Sequence, residues 1–305
     1  MLFTVRILGN SAALPAQGRH PSAQVLQIDN DLFLIDCGEG TQMRMSDFKV
    51  KRSKINHIFI SHLHGDHVFG LPGLITSFVL NGRKDPLTVY GPSPIQHMLT
   101  TVLESSQVRL NFELNFVELE IREQEIYSHR GLTITAFPLE HRIPTVGYHF
   151  SKVGKGNHFD REKLRALEIS PDGVKSLLDK GSWENAVGKV IKLEDVTDER
   201  ILKASYAYCS DTRYFPAILP IIESVDLLYH ESTYGDEMEH EAHARFHSTS
   251  RQAALIAVQA KVGRLMLGHF SSRYSNLDQL LEQARTEFQN TFLSVEGEVY
   301  TIEAQ

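Results

Sequence analysis

The chain has 305 residues, of which 42% are hydrophobic, so it is long enough to bury a substantial core. A formal net charge of −7 excludes a general nucleic-acid binder that relies on overall basicity, but it leaves open a local phosphate-binding surface. With only two cysteines, Cys37 and Cys209, a disulfide framework is excluded, and we expect both thiols to be reduced and buried.

Neither the first residues nor the longest apolar run has the features of export or membrane insertion. Leu2–Leu8 alternates like a strand and lacks the charged, apolar and small-residue regions of a leader peptide. Val68–Leu80 is too short for a membrane span and is interrupted by glycine and proline. We therefore expect a cytoplasmic protein with no membrane partner.

The N-terminal third consists of strand-like runs and loops. Strands are predicted over Leu2–Leu8, Gln24–Asp29 and Leu32–Ile35, and a glycine-punctuated turn follows at residues 36–42. The next stretch, Met43–Lys54, is rich in lysine and arginine. A solvated basic face is the default interpretation of this run, and contact with a phosphate backbone is the functional alternative.

Apolar runs and helical patterns alternate through the rest of the chain. Helices are predicted over Ser248–Val262 and Leu277–Phe288, where apolar residues recur at helical spacing. This alternation indicates an α/β protein with buried sheets. The later strand-like runs are Ile58–Ile60, Leu87–Tyr90, Leu132–Phe137, Ala204–Cys209, Asp226–Tyr229 and Arg264–Leu267.

One polar block, from Ser151 to about Lys203, interrupts the alternation, and we interpret it as an insertion that projects from the core. Two short helices are predicted inside it, over Asp160–Leu167 and Asp172–Leu178. The block is not expected to be disordered, because it contains apolar side chains that can pack together. These are Phe159, Leu164, Leu167, Leu177, Leu178 and Trp183.

The segment from Ser61 to His67 concentrates metal-ligand chemistry directly after the apolar run 58–60. It brings together three imidazoles and one carboxylate, and imidazole nitrogen and carboxylate oxygen are ligands that Zn²⁺ accepts when no thiolate is offered. Four donors are too many for one catalytic ion that keeps a position open for water, so two neighbouring ions are predicted. The alternative, a polar loop whose histidines satisfy backbone groups, is disfavoured because packing has little use for so many titratable side chains.

Three more ligand-type residues each follow a later strand-like run. If these strands point the same way, all the donors meet at one rim of the sheet. Two ions about 3.5–4 Å apart can clamp the attacking and leaving oxygens of a phosphoryl transfer and activate water for the attack. We expect two Zn²⁺ per chain, with Mn²⁺ or Fe²⁺ as substitutes. The predicted ligands are His62, His64 and His141 for one ion, Asp66, His67 and His269 for the other, and Asp211 as the bridge.

A leaving oxygen needs a proton, and His247 near the start of a predicted helix is the candidate donor, with Glu231 orienting it and keeping it charged. The alternative is that Ser248 or Thr249 caps the helix and His247 is only a flanking polar residue. A third metal site built from histidines 240, 243 and 247 at helical spacing is less favoured, because the first site already has a full ligand set.

These residues resemble the metallo-β-lactamase superfamily and, more narrowly, the ribonuclease Z family of tRNA 3′-processing endoribonucleases. The superfamily signature is His62-Leu63-His64-Gly65-Asp66-His67. The narrower resemblance covers most of the chain, although residues 15–20 and 169–173 depart from the family's patterns. It rests on the segments Asp36–Gln42, Gly65–His67 with Gly70–Leu74, His230-Glu231, His247–Thr249, and His269 with Ser272–Tyr274.

The resemblance implies an αββα sandwich of two packed mixed sheets flanked by helices, in one domain over residues 1–305 with an inserted arm at about 151–203. It implies a zinc-dependent endoribonuclease that removes the 3′ trailer of precursor tRNA through metal-activated water and leaves a 3′-hydroxyl on the tRNA. Asp66 would serve as ligand and general base, and Glu231 with His247 would deliver the proton. The arm would bind tRNA, and in a homodimer it would reach the substrate of the other subunit.

Two other functions remain open from the sequence. The first is a broader phosphodiesterase or another hydrolase on the same dinuclear scaffold, which His247-Ser248-Thr249 and the inserted block disfavour. The second is an RNA-binding or partner subunit without activity, which the complete set of ligand-type residues disfavours.

Overall fold

The computed structural model describes residues 1–185 and 187–304 and contains two seven-stranded sheets and one two-stranded sheet. In β1 the buried residues Phe3, Val5 and Ile7 alternate with partly exposed ones, as expected for a strand with one face in the core. The strands are β1 (Phe3–Gly9), β2 (Ala23–Ile28), β3 (Asp31–Ile35), β4 (Ile55–Phe59), β5 (Leu87–Pro92), β6 (Leu114–Leu119), β7 (Gln124–His129), β8 (Leu132–Pro138), β9 (Val146–Phe159), β10 (Ser182–Glu184), β11 (Val190–Lys192), β12 (Thr197–Cys209), β13 (Leu227–Glu231), β14 (Arg264–Gly268), β15 (Thr291–Leu293) and β16 (Val299–Thr301).

Both large sheets mix parallel and antiparallel neighbours. The first has the order β16-β1-β2-β3-β4-β5-β6, in which β1 is antiparallel to β2 and β3 is parallel to β4. The second has the order β15-β14-β13-β12-β9-β8-β7, in which β7 is antiparallel to β8 and β12 is parallel to β13. Parallel neighbours carry their carboxyl ends to the same edge of a sheet, which is where the site described below lies.

The two helices predicted in the C-terminal third are confirmed. The second begins one residue later than predicted, at Asp278. The first begins two residues late, because Thr249 accepts a hydrogen bond from the backbone N–H of Gln252 and so caps it. Within the described residues, none of the helices combines the length and the apolar character needed to cross a membrane. The helices are α1 (Thr41–Asp47), α2 (Gly65–Val68), α3 (Leu71–Leu80), α4 (Ile95–Ser105), α5 (Arg161–Ala166), α6 (Pro171–Lys180), α7 (Glu239–Arg245), α8 (Ser250–Gln259) and α9 (Asp278–Glu287).

Three apolar layers hold the sheets and helices together. The middle layer joins the inner faces of the two large sheets and includes Phe3, Tyr148 and Tyr206. One outer layer packs α3 and α4 on the first sheet, and the other packs α8 and α9 on the second sheet. The structure is therefore an αββα sandwich, and the predicted fold class is confirmed.

The chain divides into two compact units, of which the larger comprises Leu2–Lys152 and Ala204–Ala304, while the smaller is made mainly of Val153–Lys203. The smaller unit has its own apolar cluster around Leu177, Ile191 and Val196. Its two predicted helices are confirmed as α5 and α6.

One packing prediction in the smaller unit is wrong. Leu178 was expected in the apolar cluster but is 64% exposed, whereas its neighbour Leu177 is buried. Consecutive residues on a helix point about 100° apart, so α6 can present only one of the two leucines to the cluster.

Candidate metal centre

The seven predicted ligands lie together at strand ends. His62 and His64 follow β4, Asp66 and His67 lie on α2, and the remaining three follow β8, β12 and β14. The arrangement differs from the prediction of one rim of one sheet, because β4 belongs to the first large sheet and the other three strands belong to the second. The donors meet because both sheets of the sandwich direct strand ends to the same place.

The first group of donors comprises His62, His64, His141 and Asp211, whose ligand atoms all lie within 4.8 Å of one another. Nδ1 of His64 is 3.1 Å from Nε2 of His62 and 3.2 Å from Nε2 of His141. Two nitrogens bound tetrahedrally to one Zn²⁺ at about 2.0–2.1 Å would be roughly 3.3 Å apart. The spacing of the imidazoles therefore fits a single cation among them.

The second group comprises Asp66, His67 and His269, with ligand atoms again within 4.8 Å of one another. The Nε2 atoms of the two imidazoles are 3.3 Å apart. Oδ2 of Asp66 is 3.4 Å from Nε2 of His67 and 3.5 Å from Nε2 of His269. This triad leaves room for a further ligand, as a catalytic cation site requires.

Asp211 lies between the two groups. Its Oδ2 is 3.6 Å from Nε2 of His62 and 3.8 Å from Nε2 of His141. Its Oδ1 is 3.3 Å from Nε2 of His67 and 3.1 Å from Nε2 of His269. Each oxygen of one carboxylate thus faces a different group, which is the geometry of a bridging ligand.

The two donor groups contain five histidines. In four of them, Nδ1 forms a hydrogen bond with a group outside the donor groups. A hydrogen bond at Nδ1 fixes the tautomer and leaves the Nε2 lone pair for a cation, so this pattern is typical of metal-binding imidazoles. His64 is the exception, because its Nδ1 faces the centre. The holding atoms are Oγ of Ser61 for His62 (3.0 Å), Oδ2 of Asp36 for His67 (2.7 Å), the carbonyl of Phe246 for His141 (3.0 Å) and Oγ1 of Thr233 for His269 (2.9 Å).

Buried negative charge around His67 also fits a cation. Burial by itself would lower the pKa of this imidazole, but the carboxylates of Asp211, Asp66 and Asp36 raise it well above its usual range. At His62 burial dominates and lowers the pKa, which favours the neutral form that binds metal. A divalent cation would supply the positive charge that the three carboxylates require.

Asp36 is a site residue to which the sequence analysis gave no role, although it lies in the glycine-punctuated turn and in a segment that carries the family resemblance. It is fully buried and accepts hydrogen bonds from the backbone N–H of Ser61 (2.7 Å), from the Ser61 hydroxyl (2.9 Å), from Nδ1 of His67 (2.7 Å) and from the Tyr208 hydroxyl (2.7 Å). Its position could have indicated this role, because it directly follows β3, the parallel neighbour of β4. Its φ of 55° keeps the carboxylate aimed inward at a conformational cost.

Replacing Asp36 with asparagine is expected to weaken metal binding about 10–100-fold, because the amide is a weaker acceptor for the imidazole that Asp36 orients. Competition with a chelating dye would measure the affinity. The control is Asp47→Asn, which removes a carboxylate that is 57% exposed and pairs with Arg44 on α1. Equal affinities in the parent and the Asp36 variant would contradict the orienting role.

Glu231, which is buried, and His247, which is partly buried, form a pair beside the donors. Oε1 of Glu231 lies 2.8 Å from Nδ1 of His247 and accepts the Thr212 backbone N–H, while Oε2 accepts the backbone N–H and hydroxyl of Thr233. Burial opposes the charged imidazole, but the Glu231 carboxylate outweighs it and raises the pKa of His247 to about 9. His247 therefore carries a proton at neutral pH.

The sequence left two alternatives to a proton donor at His247: a polar residue that only flanks a helix cap, and a ligand of a third metal site. Thr249 does cap α8, so the capping interpretation is correct for that residue, but His247 itself contacts Glu231. The third metal site is not supported, because no donor group within the described parts of the chain includes His240 or His243. The ligand atom of His247 does lie within 4.8 Å of those of Asp211 and His269.

A cleft of about 540 Å³ opens over the donors. Three arginines, Arg142, Arg245 and Arg273, contribute to its lining together with His247 and the exposed ring of Phe69. Cationic side chains around a donor cluster attract an anion such as a phosphodiester. The arrangement can bind, orient and protonate such a substrate.

Comparison with known proteins gives one match to about half of the chain and others to nearly all of it. A family model described as anti-Pycsar protein Apyc1 matches residues 3–154, which include His62–His67 and His141 but not Asp211 or His269. Ribonuclease Z of Parabacteroides distasonis is 40% identical over 97% of this chain and 97% of its own length. Ribonuclease Z of Phocaeicola vulgatus is 40% identical over 99% of this chain and 98% of its own.

Solved structures agree with the fold. The short form of human tRNase Z superposes with a TM-score of 0.71 at 25% identity and covers 98% of this chain and 99% of its own. The metallo-β-lactamase-fold protein YhfI of Bacillus subtilis superposes with a TM-score of 0.70 at 17% identity, over 99% of this chain and 100% of its own, which bears on the fold alone.

Proposed function

The chain belongs to the ribonuclease Z family, and from this premise we propose that it is a metal-dependent endoribonuclease that removes the 3′ trailer of precursor tRNA. The observation that carries the proposal is the convergence of seven donor side chains beneath a cleft that is lined by arginines and by a protonated histidine. A phosphodiester is the substrate class that this combination of charges serves.

The donor set fits two divalent cations, one in each group with Asp211 between them. Imidazole and carboxylate ligands favour Zn²⁺, and Mn²⁺ is the substitute we expect. Bound there, the cations would act as Lewis acids on the phosphate oxygens and lower the pKa of water. The arginines of the cleft would hold the phosphates on either side of the scissile bond.

Asp66 and His247 would move the two protons of the reaction. Burial raises the pKa of Asp66, but His67 and His269 together lower it well below its usual value, so the carboxylate is ionised. It would accept the proton of the attacking water as general base, because a bound cation would lower the pKa of that water. The water oxygen forms the new bond to phosphorus and the bond from phosphorus to the 3′ oxygen breaks. His247 protonates that oxygen, because Glu231 occupies its Nδ1 and leaves Nε2 free to donate.

The organisation of the chain around this site is also proposed. We infer one metallo-β-lactamase-type domain with an inserted arm at about 151–203 that binds tRNA, a homodimer in solution, and action in the cytoplasm, where precursor tRNA would be its partner. Family membership supports these assignments. Light scattering would measure the mass in solution, and a monomer at all concentrations would contradict the dimer.

The decisive experiment is to incubate the zinc-loaded protein with a precursor tRNA that carries a 3′ trailer and to map both new ends. We expect a 3′-hydroxyl on the tRNA and a 5′-phosphate on the trailer. A chelator should reduce cleavage to background, and added Zn²⁺ or Mn²⁺ should restore it.

Three results would count against parts of the proposal. Absence of cleavage with both metals present would contradict it outright. Hydrolysis of simple phosphodiesters without precursor-tRNA cleavage would favour the broader phosphodiesterase instead. Plasma mass spectrometry that finds fewer than two ions per chain would contradict the two-cation assignment.

A second basic cavity supports contact with the RNA backbone away from the cut. Arg6 and three lysines of the run Met43–Lys54 line a cavity of about 280 Å³ beside α1, and phosphate contact was the functional alternative for that run. The lysines are Lys49, Lys51 and Lys54. Its lining includes no carboxylate among the described residues. Counterions held by RNA phosphates are released when such lysines bind, which strengthens binding most at low salt.

Replacing both Lys49 and Lys51 with alanine is expected to weaken precursor-tRNA binding and to reduce the slope of log affinity against log salt by about 1 for each lysine. Filter binding at several salt concentrations would measure the slope. Lys261→Ala is the matched control, since that lysine pairs with Glu223 on the surface. An unchanged slope in the double variant would mean that the run Met43–Lys54 is only a solvated face.

A further inference from the structure

Phe69 is an exposed aromatic residue at the metal centre that the mechanism above does not use. It directly follows α2, three positions after Asp66, and its side chain is 68% exposed although Val68 and Leu71 on either side are buried. Solvent exposure of a phenylalanine ring forgoes the stabilisation that burial would bring. An aromatic side chain at position 69 therefore contributes little to the hydrophobic core.

The ring is nevertheless held in place. A Cβ atom built on Gly65 would lie only 2.4 Å from Cε2 of the Phe69 ring, so the ring packs directly against the Gly65 backbone. The backbone N–H of Phe69 also donates to the carbonyl of Gly65 at 2.9 Å. Gly65 is the residue between the ligands His64 and Asp66, so the ring has a fixed position relative to the donors.

The charged side chains that line the same cleft indicate which kind of ligand would contact the ring. Among the described residues, no carboxylate oxygen lies within ion-pairing distance of the guanidinium groups of Arg142, Arg245 or Arg273. All three are exposed and line the cleft together with Phe69. Arginines without a carboxylate partner, in the same cleft as an exposed aromatic ring, are typical of sites that take the phosphates and the base of single-stranded nucleic acid.

We propose that Phe69 is a stacking platform for the unpaired nucleobase next to the scissile phosphate. The inference rests on the proposed function and adds a base-binding subsite to it. Stacking on an aromatic ring does not read base identity, so one ring can serve precursors that differ in sequence at the cleavage point. The platform would set the distance between the base and the donors, and so position the phosphate between them.

The test is a double-mutant cycle between the ring and the base. The variants are Phe69→Ala and Phe69→Leu, the second of which keeps an apolar contact with Gly65 but has no aromatic face. The substrates are one precursor tRNA and two derivatives with an abasic nucleotide, placed directly before or directly after the cleavage position. The metal content of each variant is measured alongside kcat/KM.

We expect both variants to lose about tenfold in kcat/KM on the intact precursor, since stacking on one ring is worth about that factor per base. On one of the two abasic substrates the parent should lose a similar factor and the variants should lose little more. Phe69→Trp should restore the intact-substrate rate. In addition, 2-aminopurine at the sensitive position should be quenched on binding to the parent and less quenched with Phe69→Leu.

Two outcomes overturn the inference. If both variants lose the same factor on all three substrates, the ring acts through the structure of the ligand loop and not through a base, and a parallel loss of metal would identify that cause. If the variants cleave all three substrates at the parent's rates, the ring has no role in positioning. Failure of the parent itself to cleave the intact precursor would instead overturn the proposed function, and the subsite with it.

Discussion

Alanine in place of Asp211 is expected to remove both cations and to reduce kcat/KM by about 10³-fold or more. The residue is 3% exposed, and its two oxygens lie 3.1–3.8 Å from the Nε2 atoms of four histidines. Without the carboxylate, the first group loses one of its donors and the second group loses the bridging oxygen that faces it. Plasma mass spectrometry and precursor-tRNA cleavage would measure the two losses.

The control for this variant is Asp236→Ala, which removes a carboxylate that pairs with Arg251 at 2.6 Å in a partly exposed position. Exposed ion pairs contribute about 0–1 kcal/mol, so its metal content and activity should match those of the parent. Retention of two ions by the Asp211 variant would contradict the bridging role. Retention of one ion would restrict that role to a single group.

Alanine in place of His247 is expected to reduce kcat about 10²–10⁴-fold while metal content stays at the parent's level. The loss follows from removal of the proton donor, whose pKa Glu231 holds at about 9. Metal should remain because the variant leaves all seven predicted ligands, Asp211 among them, unchanged. Single-turnover cleavage together with metal analysis would separate the two effects.

His243→Ala is the matched control, because that histidine is exposed on α7 and lies 3.5 Å from Arg213 outside the donor groups. Its activity should equal the parent's. Loss of metal in the His247 variant would mean that this imidazole is a ligand and not the proton donor, which its proximity to Asp211 and His269 would then explain.

Secondary structure was predictable where one face of an element is apolar and less so elsewhere. The core strand β13 and the helix α8 follow such patterns closely. The edge strand β6 escaped prediction, since much of it is exposed. Only the last part of β12 was predicted, because its first half, within 197–203, is largely polar. Backbone hydrogen bonds to neighbouring strands, and not apolar packing, define such segments.

By themselves, the residue types and their order identified the chemistry, because imidazole and carboxylate side chains placed after apolar strands have few uses other than binding a cation. Only the tertiary structure decided which side chains hold these ligands. Asp36, Thr233 and the carbonyl of Phe246 fix the imidazoles through contacts that span 31 to 105 residues. Such contacts depend on which strands lie side by side, as β3 with β4 and β13 with β14 do. The same applies to Phe69, whose exposed ring cannot be distinguished from a core phenylalanine until its neighbours are known.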